Sequence, residues 1–244
     1  TFSTNEAEDF GGAIFLEGTA SATCSSCIFE DNEAEDSGGG VYVSTGTFQD
    51  TNGTWTGEDD SSVSAATGGA IYAMEGTLVV DGASTFDGFY ADDAGAAIYA
   101  EVASVSLTGA SFSNNSLSGT SSDGAAVHII DASANAVIDT CTFEDNFALD
   151  RGGALRLTNS SFEIIDGVFT DNVVYTKGGH AYFDGSDGTI TSTSFTLGDA
   201  EEEDGGALYF YQCGDVSISG GSFSHNTAYE DGGANVCWMD NTSI

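Results

Sequence analysis

The sequence contains no proline and only three basic residues, against 39 acidic ones in 244 positions. Three cations cannot neutralise a phosphate backbone or attract an anionic lipid surface, so the composition argues against binding to nucleic acid and against membrane association. No apolar run approaches the roughly 18 residues of a membrane-spanning helix, so we expect no membrane insertion by this segment. Because proline cannot donate a hydrogen bond to a sheet, its absence indicates a backbone that is hydrogen-bonded almost everywhere.

The net charge of −36 is of the size that often accompanies disorder. Against that interpretation, 40% of the residues are apolar and 11% are aromatic. This apolar content is enough to bury a sizeable core, so we expect a folded acidic protein.

A short motif that begins with glycine, such as GGAIF or GGALY, recurs nine times along the chain. We number positions from its first glycine, which is position 0. These first glycines are Gly11, Gly38, Gly68, Gly95, Gly124, Gly152, Gly178, Gly205 and Gly232. They are 26 to 30 residues apart, which predicts nine structural repeats and no linker.

A second motif, Phe-x-x-Asn, precedes most of these glycines. It begins at Phe2, Phe29, Phe112, Phe143, Phe169 and Phe223. Trp55, Phe86 and Phe195 occupy the aromatic position in the other three units, which lack the Asn. We expect the Asn to lie at a turn in the left-handed conformation and to hydrogen-bond with the amide of the next unit.

Apolar residues alternate with polar ones in every unit, which indicates strands rather than helices. Positions 3 and 5 are apolar in most units, and position 2, taken as outward-facing, is small except at His180. Each unit therefore contains two or three short strands separated by Gly, Asn, Asp and Ser turns. Stacked units of this kind predict an all-β fold, a parallel β-helix of about nine coils with about 27–28 residues per coil. We expect one domain that covers residues 1–244.

The alternation of GGA[ILV] with FxxN resembles the repeats of the chlamydial polymorphic outer-membrane proteins. The resemblance covers the whole chain, with nine glycine motifs and six complete FxxN motifs. It implies a right-handed β-helix of the autotransporter kind and an extracellular, adhesive role at the cell surface. The chain departs from that family in its high acid content and in the lack of a C-terminal barrel and a signal peptide. We expect it to be a segment of a longer chain.

Position 4 is aromatic in most units, and it forms the candidate partner-binding face. The face consists of Phe15, Tyr42, Tyr72, Tyr99, His128, Arg156, Tyr182 and Tyr209. One interpretation is intramolecular, because stacked rings stabilise neighbouring strands. The other is a flat docking surface, beside a strip of small residues at position 2, for other protein chains or for a polysaccharide. Of these two partners we favour other protein chains, in self-assembly or in a filament.

The acidic residues cluster just before each glycine pair. Six of them share one column: Asp9, Asp36, Asp93, Asp150, Glu203 and Glu230. A solvated acidic edge is one interpretation. The alternative is weak Ca²⁺ binding, since hard carboxylate oxygens suit this ion. No other cofactor is expected.

Five cysteines and four sequons complete the set of candidate sites. Cys213 and Cys237 lie on successive coils and could form a disulfide. Cys24 and Cys27 could also close a local disulfide, although an extended strand would hold them too far apart. Cys141 is expected to fill the core. The glycosylation candidates are Asn52, Asn114, Asn159 and Asn241.

His128, Arg156 and His180 are the candidate catalytic constellation, since all three are expected on the outer surface of neighbouring coils. No catalytic motif accompanies them, so we expect no enzyme. The sequence therefore predicts an extracellular structural or adhesive repeat protein that serves as a stalk or a filament subunit. The alternative is a carbohydrate-binding module.

Overall fold

The computed structural model describes residues 1–57, 65–119 and 122–238. Every regular element in these residues is a β-strand, and every pairing between strands is parallel. Each complete coil contributes four strands, which join four sheets that we name I to IV in chain order.

Sheet I carries the aromatic residue of the FxxN motif. Its nine strands are Phe2–Ser3, Ile28–Glu30, Thr54–Thr56, Thr85–Asp87, Ser111–Ser113, Thr142–Glu144, Val168–Thr170, Ser194–Thr196 and Ser222–Ser224. Sheet II follows the Asn of the motif. Most of its strands are shorter, and they form two separate groups, one of two strands and one of seven. These are Glu6–Ala7 and Glu33–Ala34, then Ala65–Thr67, Tyr90–Ala94, Ser116–Leu117, Phe147–Ala148, Val173–Val174, Asp199–Ala200 and Thr227–Ala228.

Sheet III follows the glycine pair and holds the candidate face. Its nine strands are Ile14–Leu16, Val41–Val43, Ile71–Ala73, Ile98–Glu101, Val127–Ile130, Leu155–Thr158, Ala181–Asp184, Leu208–Tyr211 and Asn235–Trp238. Sheet IV closes the coil with eight strands. These are Ser21–Ser25, Thr47–Thr51, Thr77–Asp81, Ser104–Thr108, Ala136–Asp139, Ser161–Ile165, Asp187–Thr191 and Val216–Ser219.

The coils stack in register, so that equivalent positions of consecutive repeats lie side by side. Tyr42, Tyr72 and Tyr99 pair in this way on sheet III. Neighbouring parallel strands are about 4.8 Å apart, so nine strands extend about 40 Å along the stack. The prediction of a parallel coil stack is confirmed, although each coil has four short strands rather than two or three.

The corners between sheets depend on residues in the left-handed conformation. At the corner from sheet II to sheet III this residue is always the first glycine of the motif, with φ between 53° and 75°. A second glycine follows in seven of the nine motifs, and a Cβ at Gly12 or Gly153 would lie 2.3 Å or less from a backbone oxygen of the next coil, whereas Ala96 and Ala125 occupy this position in the other two. The motif thus combines a turn with a close approach of two coils.

Position 2 faces the core, so the predicted outward strip of alanines is wrong. Ala70 and Ile71, at positions 2 and 3, are both fully buried. The backbone explains this break in the alternation, because the N–H groups of Gly40 and Val41 both donate to the oxygen of Ala70, at 3.0 and 2.8 Å. Two adjacent residues that share one acceptor form a bulge-like irregularity, and both side chains then point inwards.

An aromatic stack fills the core behind sheet I. Its rings belong to Phe2, Phe29, Trp55, Phe86, Phe112, Phe143, Phe169, Phe195 and Phe223, and successive centroids are 3.7 to 5.3 Å apart. Burial of one such ring stabilises the fold by about 1.5–3 kcal/mol. The parallel register therefore turns one repeated residue into a continuous column.

The asparagines form a second internal column beside the rings. Asn146 donates from Nδ2 to Oδ1 of Asn172 at 2.8 Å and to the oxygen of Phe112 at 3.1 Å, and its Oδ1 accepts from Nδ2 of Asn115 at 2.9 Å. The predicted amide ladder is confirmed. The left-handed residue is the one before the Asn, for example Asp145 with φ 54°, and the Asn itself points into the core.

Candidate functional site

The aromatic residues of position 4 stack along sheet III and point away from the core. Tyr42 and Tyr72 have ring centroids 5.0 Å apart, and those of Tyr182 and Tyr209 are 5.2 Å apart. Tyr42, Tyr182 and Tyr209 are buried, yet none of them belongs to the hydrophobic core cluster. The column is therefore external and covered by its own surroundings.

The expectation of a flat, exposed aromatic strip is wrong for most of its members. Only Phe15 is clearly exposed, at 49%, and Tyr72 and Tyr99 are half-buried. The buried members are Tyr42, His128, Arg156, Tyr182 and Tyr209. Their rings and side chains cover one another along the stack, and the column at position −1 forms a wall beside them. In that wall Phe10 lies 4.6 Å from the ring of Tyr42.

Towards the C-terminal half the wall opens into a groove of about 560 Å³. The groove is lined by Arg151, Lys177, Tyr182, Asp184, Asp204, Tyr209 and Tyr211. Tyr182 and Tyr209 come from the predicted face, whereas the other five occupy positions −1 and 6 on its two sides. The sequence does carry signals for these walls, namely the basic residues at position −1 and the charged and aromatic residues at position 6. Only the fold brings these positions to the two sides of the face.

All three basic residues of the chain lie at or beside this groove. Arg151 and Arg156 each place their guanidinium carbon 5.5 Å from the ring centre of Tyr182, and Lys177 places its Nζ 5.2 Å from that of Tyr209. Such cation–π contacts stabilise by about 0.5–1 kcal/mol near solvent and by more when they are desolvated. The groove therefore combines aromatic faces with the chain's only cations.

Each cation is also paired with an acidic residue of the protein. The Lys177 Nζ lies 3.0 Å from Glu203, and the Arg151 Nε lies 3.6 Å from Asp150. Arg156 forms an ion pair with Asp123 and lies 3.8 Å from Asp184. Burial raises the pKa of Asp123 to about 6, although the charge of Arg156 opposes this shift. The lining of the groove itself holds two cations, Arg151 and Lys177, and two carboxylates, Asp184 and Asp204.

His128 lies next to Arg156 in the register, and burial together with that charge lowers the pKa of its imidazole well below the usual value. In the described part of the chain, neither ring nitrogen of His128 has a hydrogen-bond partner, and the same holds for Nε of Arg156 and Oγ1 of Thr158. Buried polar atoms of this kind are rare and are usually satisfied by solvent or by a ligand.

The model of a protein family described as a right-handed beta helix region matches residues 1–165. This match agrees with the parallel, four-sheet stack. The chain belongs to the right-handed β-helix family. Comparisons with curated proteins and with solved structures gave no match. The family model and the coil stack together establish the β-helix repeat architecture. The likeness of the motifs to chlamydial repeats stays a resemblance.

The fold separates the three residues of the candidate catalytic constellation. His128 and Arg156 are neighbours on the outer side of sheet III, but His180 is fully buried in the core, because position 2 faces inwards. There His180 lies between Asn172, whose Nδ2 donates to Nδ1 at 3.0 Å, and Asn226, whose Oδ1 accepts from Nε2 at 3.1 Å. His180 is therefore a member of the asparagine ladder.

The buried His180 makes the stability of the β-helix depend on pH. Burial lowers the pKa of His180 to about 3, whereas the unfolded chain takes up a proton near pH 6.5. Stability is thus fully present above pH 6.5 and is lost as the pH falls towards 3. We expect a loss of about 2 kcal/mol between pH 7 and pH 5 from this residue. Urea unfolding at the two pH values measures it.

The difference between two variants isolates this contribution, because Asp123, with its raised pKa, acts in the opposite direction and the buried His128, with its lowered pKa, acts in the same direction. Between pH 7 and pH 5 the loss of stability should be about 2 kcal/mol smaller in His180→Gln, which cannot titrate, than in His225→Gln, which changes an exposed histidine. An equal pH dependence in both variants would show that His180 is not responsible.

The acidic column lies along the outer edge at the corner before sheet III. Asp9, Asp36, Asp93 and Glu230 are exposed, and Asp150 and Glu203 are half-buried. Within residues 1–57, 65–119 and 122–238, no three Asp, Glu, His or Cys side chains are arranged to hold a metal ion. Ca²⁺ binding stays a prediction, and an unchanged melting temperature between Ca²⁺ and a chelator would contradict it.

The remaining candidate sites are the cysteines and the sequons. Cys24, Cys27 and Cys141 are free thiols, and Cys213 Sγ lies 3.5 Å from the oxygens of Phe183 and Tyr211. The side chain of Cys237 lies outside the described residues, so its pairing with Cys213 stays a prediction.

Three of the sequon asparagines are exposed at left-handed corners, namely Asn52, Asn114 and Asn159. Asn241 lies outside the described residues. Glycosylation of all four stays a prediction. The described residues contain no helix that could cross a membrane.

Proposed function

We propose that this β-helix is a rigid structural segment of an extracellular protein, acting as a stalk or a filament subunit that holds adhesive or assembling parts at the cell surface. The observation that carries the proposal is the continuous register. Rings stack from Phe2 to Phe223 and sheet III pairs from its first to its last strand without a break in the described residues. A stack held by backbone ladders and internal side-chain columns resists bending, as a spacer must.

Two further features support a position outside the cell. The resemblance of the GGA[ILV] and FxxN motifs to chlamydial surface repeats is one. The other is the charge of −36, which favours solubility and repels unspecific contacts at an exposed surface. Immunogold labelling of intact cells that produce the protein tests the location. Label on the outer surface or on appendages is expected, and label found only after permeabilisation would contradict the proposal.

Contacts with other copies of the chain would use the half-exposed part of the aromatic column, Tyr72 and Tyr99. Both rings face outwards, and each combines an apolar face with a hydroxyl group, a combination enriched in protein interfaces. The Tyr72 hydroxyl donates to Oε2 of Glu101 at 3.3 Å, so a carboxylate borders the two rings and would help to orient a contact there.

Sedimentation of the purified chain tests this contact. The wild type should associate with increasing concentration, and Tyr72→Ser combined with Tyr99→Ser should weaken the association at least about tenfold, as expected when two interface anchors are removed. A matched control is Val79→Ser on sheet IV, which should associate normally. A wild type that stays monomeric at all concentrations, or a double variant that assembles equally well, would contradict self-assembly.

Carbohydrate binding is the second candidate, and the groove at Tyr182, Tyr209 and Tyr211 is the observation that favours it. Aromatic faces with charged hydrogen-bonding groups on both sides suit a sugar ring, and the balance of cations and carboxylates suits a neutral glycan better than a polyanion. Affinity electrophoresis in gels that contain neutral polysaccharides should then retard the wild type, and Tyr211→Ser should lose the retardation. Equal mobility in every glycan would contradict this candidate. We expect no enzymatic turnover, and glycan cleavage that disappears in Arg156→Ala would contradict that expectation.

A further inference from the structure

We propose that Cys24 and Cys27 form a reversible disulfide across the corner between sheets IV and I, by exchange with a small-molecule disulfide of the glutathione type. The proposal is independent of the stalk and glycan functions. It concerns a modification site in the first coil, where the sequence alone suggested two thiols held apart by a strand.

The backbone turns between the two cysteines and directs both into one corner. The strand Ser21–Ser25 ends just after Cys24, and Ser26 adopts the left-handed conformation with φ 52°. Cys24 belongs to the hydrophobic core cluster and Cys27 packs against it. The assumption of an extended strand between them was therefore wrong.

The corresponding corners of other coils show the same geometry independently. A Cβ added at Gly53 would lie 2.4 Å from the carboxylate oxygens of Asp50, the residue three positions earlier. In another coil a Cβ at Gly167 would lie 3.5 Å from Cγ2 of Ile164. These two positions, equivalent to Cys27 and Cys24, thus bring their side chains into contact, as a disulfide requires.

Only the first coil has cysteine at both positions. Cys141 occupies the same slot as Cys27, but its corner partner is Ile138, so this thiol has no second thiol to react with. Cys213 lies at a different corner, between sheets III and IV. Cys141 is therefore an internal control, because it lies at the same corner position as Cys27 but lacks a partner thiol.

The exchange proceeds in two steps. Cys27, which is partly exposed, attacks the small disulfide as a thiolate, forms a mixed disulfide and releases one small thiolate. Cys24 then loses its proton and attacks Sγ of Cys27, which releases the second small thiolate. Overall two protein thiols are oxidised to one disulfide, and the small disulfide is reduced to two thiols.

Burial slows the second step, and the charge of Asp50 adds to this effect. Burial is the largest of the causes that raise the pKa of Cys24, and Asp50, which pairs with Cys24 in the register and is itself fully buried, is a smaller one. Both remain in the mixed disulfide, whereas the contribution of the free Cys27 thiol is lost. Because only the thiolate attacks, the closing rate should increase about tenfold for each unit of pH around neutrality.

Peptide mapping of the full-length chain tests the proposal. The folded chain is treated with oxidised glutathione or with dithiothreitol, then denatured and alkylated. Cleavage after Glu17 and Glu30 releases residues 18–30, which carry both cysteines and no other. After oxidation we expect this peptide unalkylated and lighter by two hydrogen atoms, with Cys141 alkylated as a thiol.

Two variants separate the possible outcomes. Cys27→Ser should leave Cys24 fully alkylated after oxidation, whereas Cys141→Ser should close the disulfide at the wild-type rate. If the wild-type peptide stays a dithiol, or retains glutathione on Cys27 without closing, the proposal is overturned. The same holds if the closing rate does not increase with pH.

Discussion

Asn146→Leu lowers the free energy of unfolding by about 4 kcal/mol, because it leaves several buried polar groups without partners. The side chain is 1% exposed. Its Oδ1 accepts from the backbone N–H of Asn115 at 3.1 Å and from Nδ2 of Asn115 at 2.9 Å. Its Nδ2 donates to Oδ1 of Asn172 and to the backbone oxygen of Phe112. Leucine has nearly the same size, so loss of packing makes only a small contribution. Urea unfolding at neutral pH measures the change.

Asn5→Leu is the matched control at the open end of the same ladder. Asn5 is exposed, and its side chain makes one hydrogen bond, from Nδ2 to Oδ1 of Asn32 at 2.7 Å. Water can replace this bond, so we expect a loss below about 1 kcal/mol. Equal effects of the two substitutions would show that the interior ladder is not what stabilises the coils.

A double-mutant cycle at His180 and Gly198 has the second large effect. In the coil of Phe195 the FxxN motif lacks its Asn, and Gly198 stands in that place. The imidazole of His180 fills the gap between Asn172 and Asn226 and continues the ladder. A Cβ at Gly198 would lie 2.3 Å from the backbone oxygen of Gly206 and 2.6 Å from Nε2 and Cδ2 of His180, so glycine leaves room both for the ring and for the neighbouring backbone.

Each single change should therefore destabilise the protein. His180→Ala leaves a cavity and unpaired amides, and Gly198→Asn collides with the ring, so we expect losses of about 3 kcal/mol each. The double variant has the alanine and asparagine of the regular repeat and should lose clearly less than the sum of the two single changes, with a coupling energy of about 2 kcal/mol, because the contact with the Gly206 oxygen remains but the collision with the ring is gone. Additive losses of stability in thermal or urea unfolding would contradict the interpretation that the His180 ring takes the place of the missing Asn.

The sequence predicted the coil stack because its signals are repeated nine times. The spacing of the glycines and of the aromatic residues, such as Phe143 and Phe169, set the register that the strands adopt. The amide ladder also followed from the FxxN motif. In each case one residue type recurs at one place, and parallel pairing brings its copies together.

The errors have local physical causes. Strict alternation placed position 2 outside, but two N–H groups share one acceptor at Ala70, so the alternation breaks there. The expectation that His180 lies on the outer surface was wrong for the same reason. The exposure of Tyr182 could not be predicted, because the wall beside it comes from Arg151, on the preceding coil and at another position of the repeat. Interactions between non-equivalent positions leave no period in the sequence.

Amide hydrogen exchange, resolved by position, tests the central claim that the chain is one rigid stack. Since each strand amide in sheets I and III donates to a neighbouring coil, we expect comparably slow exchange in all interior coils, from Val41–Val43 through Ala181–Asp184 in sheet III. Faster exchange is expected at the two ends. A band of fast-exchanging strands in the middle of the stack would reveal a hinge, and it would contradict the proposal that the chain serves as a stiff spacer.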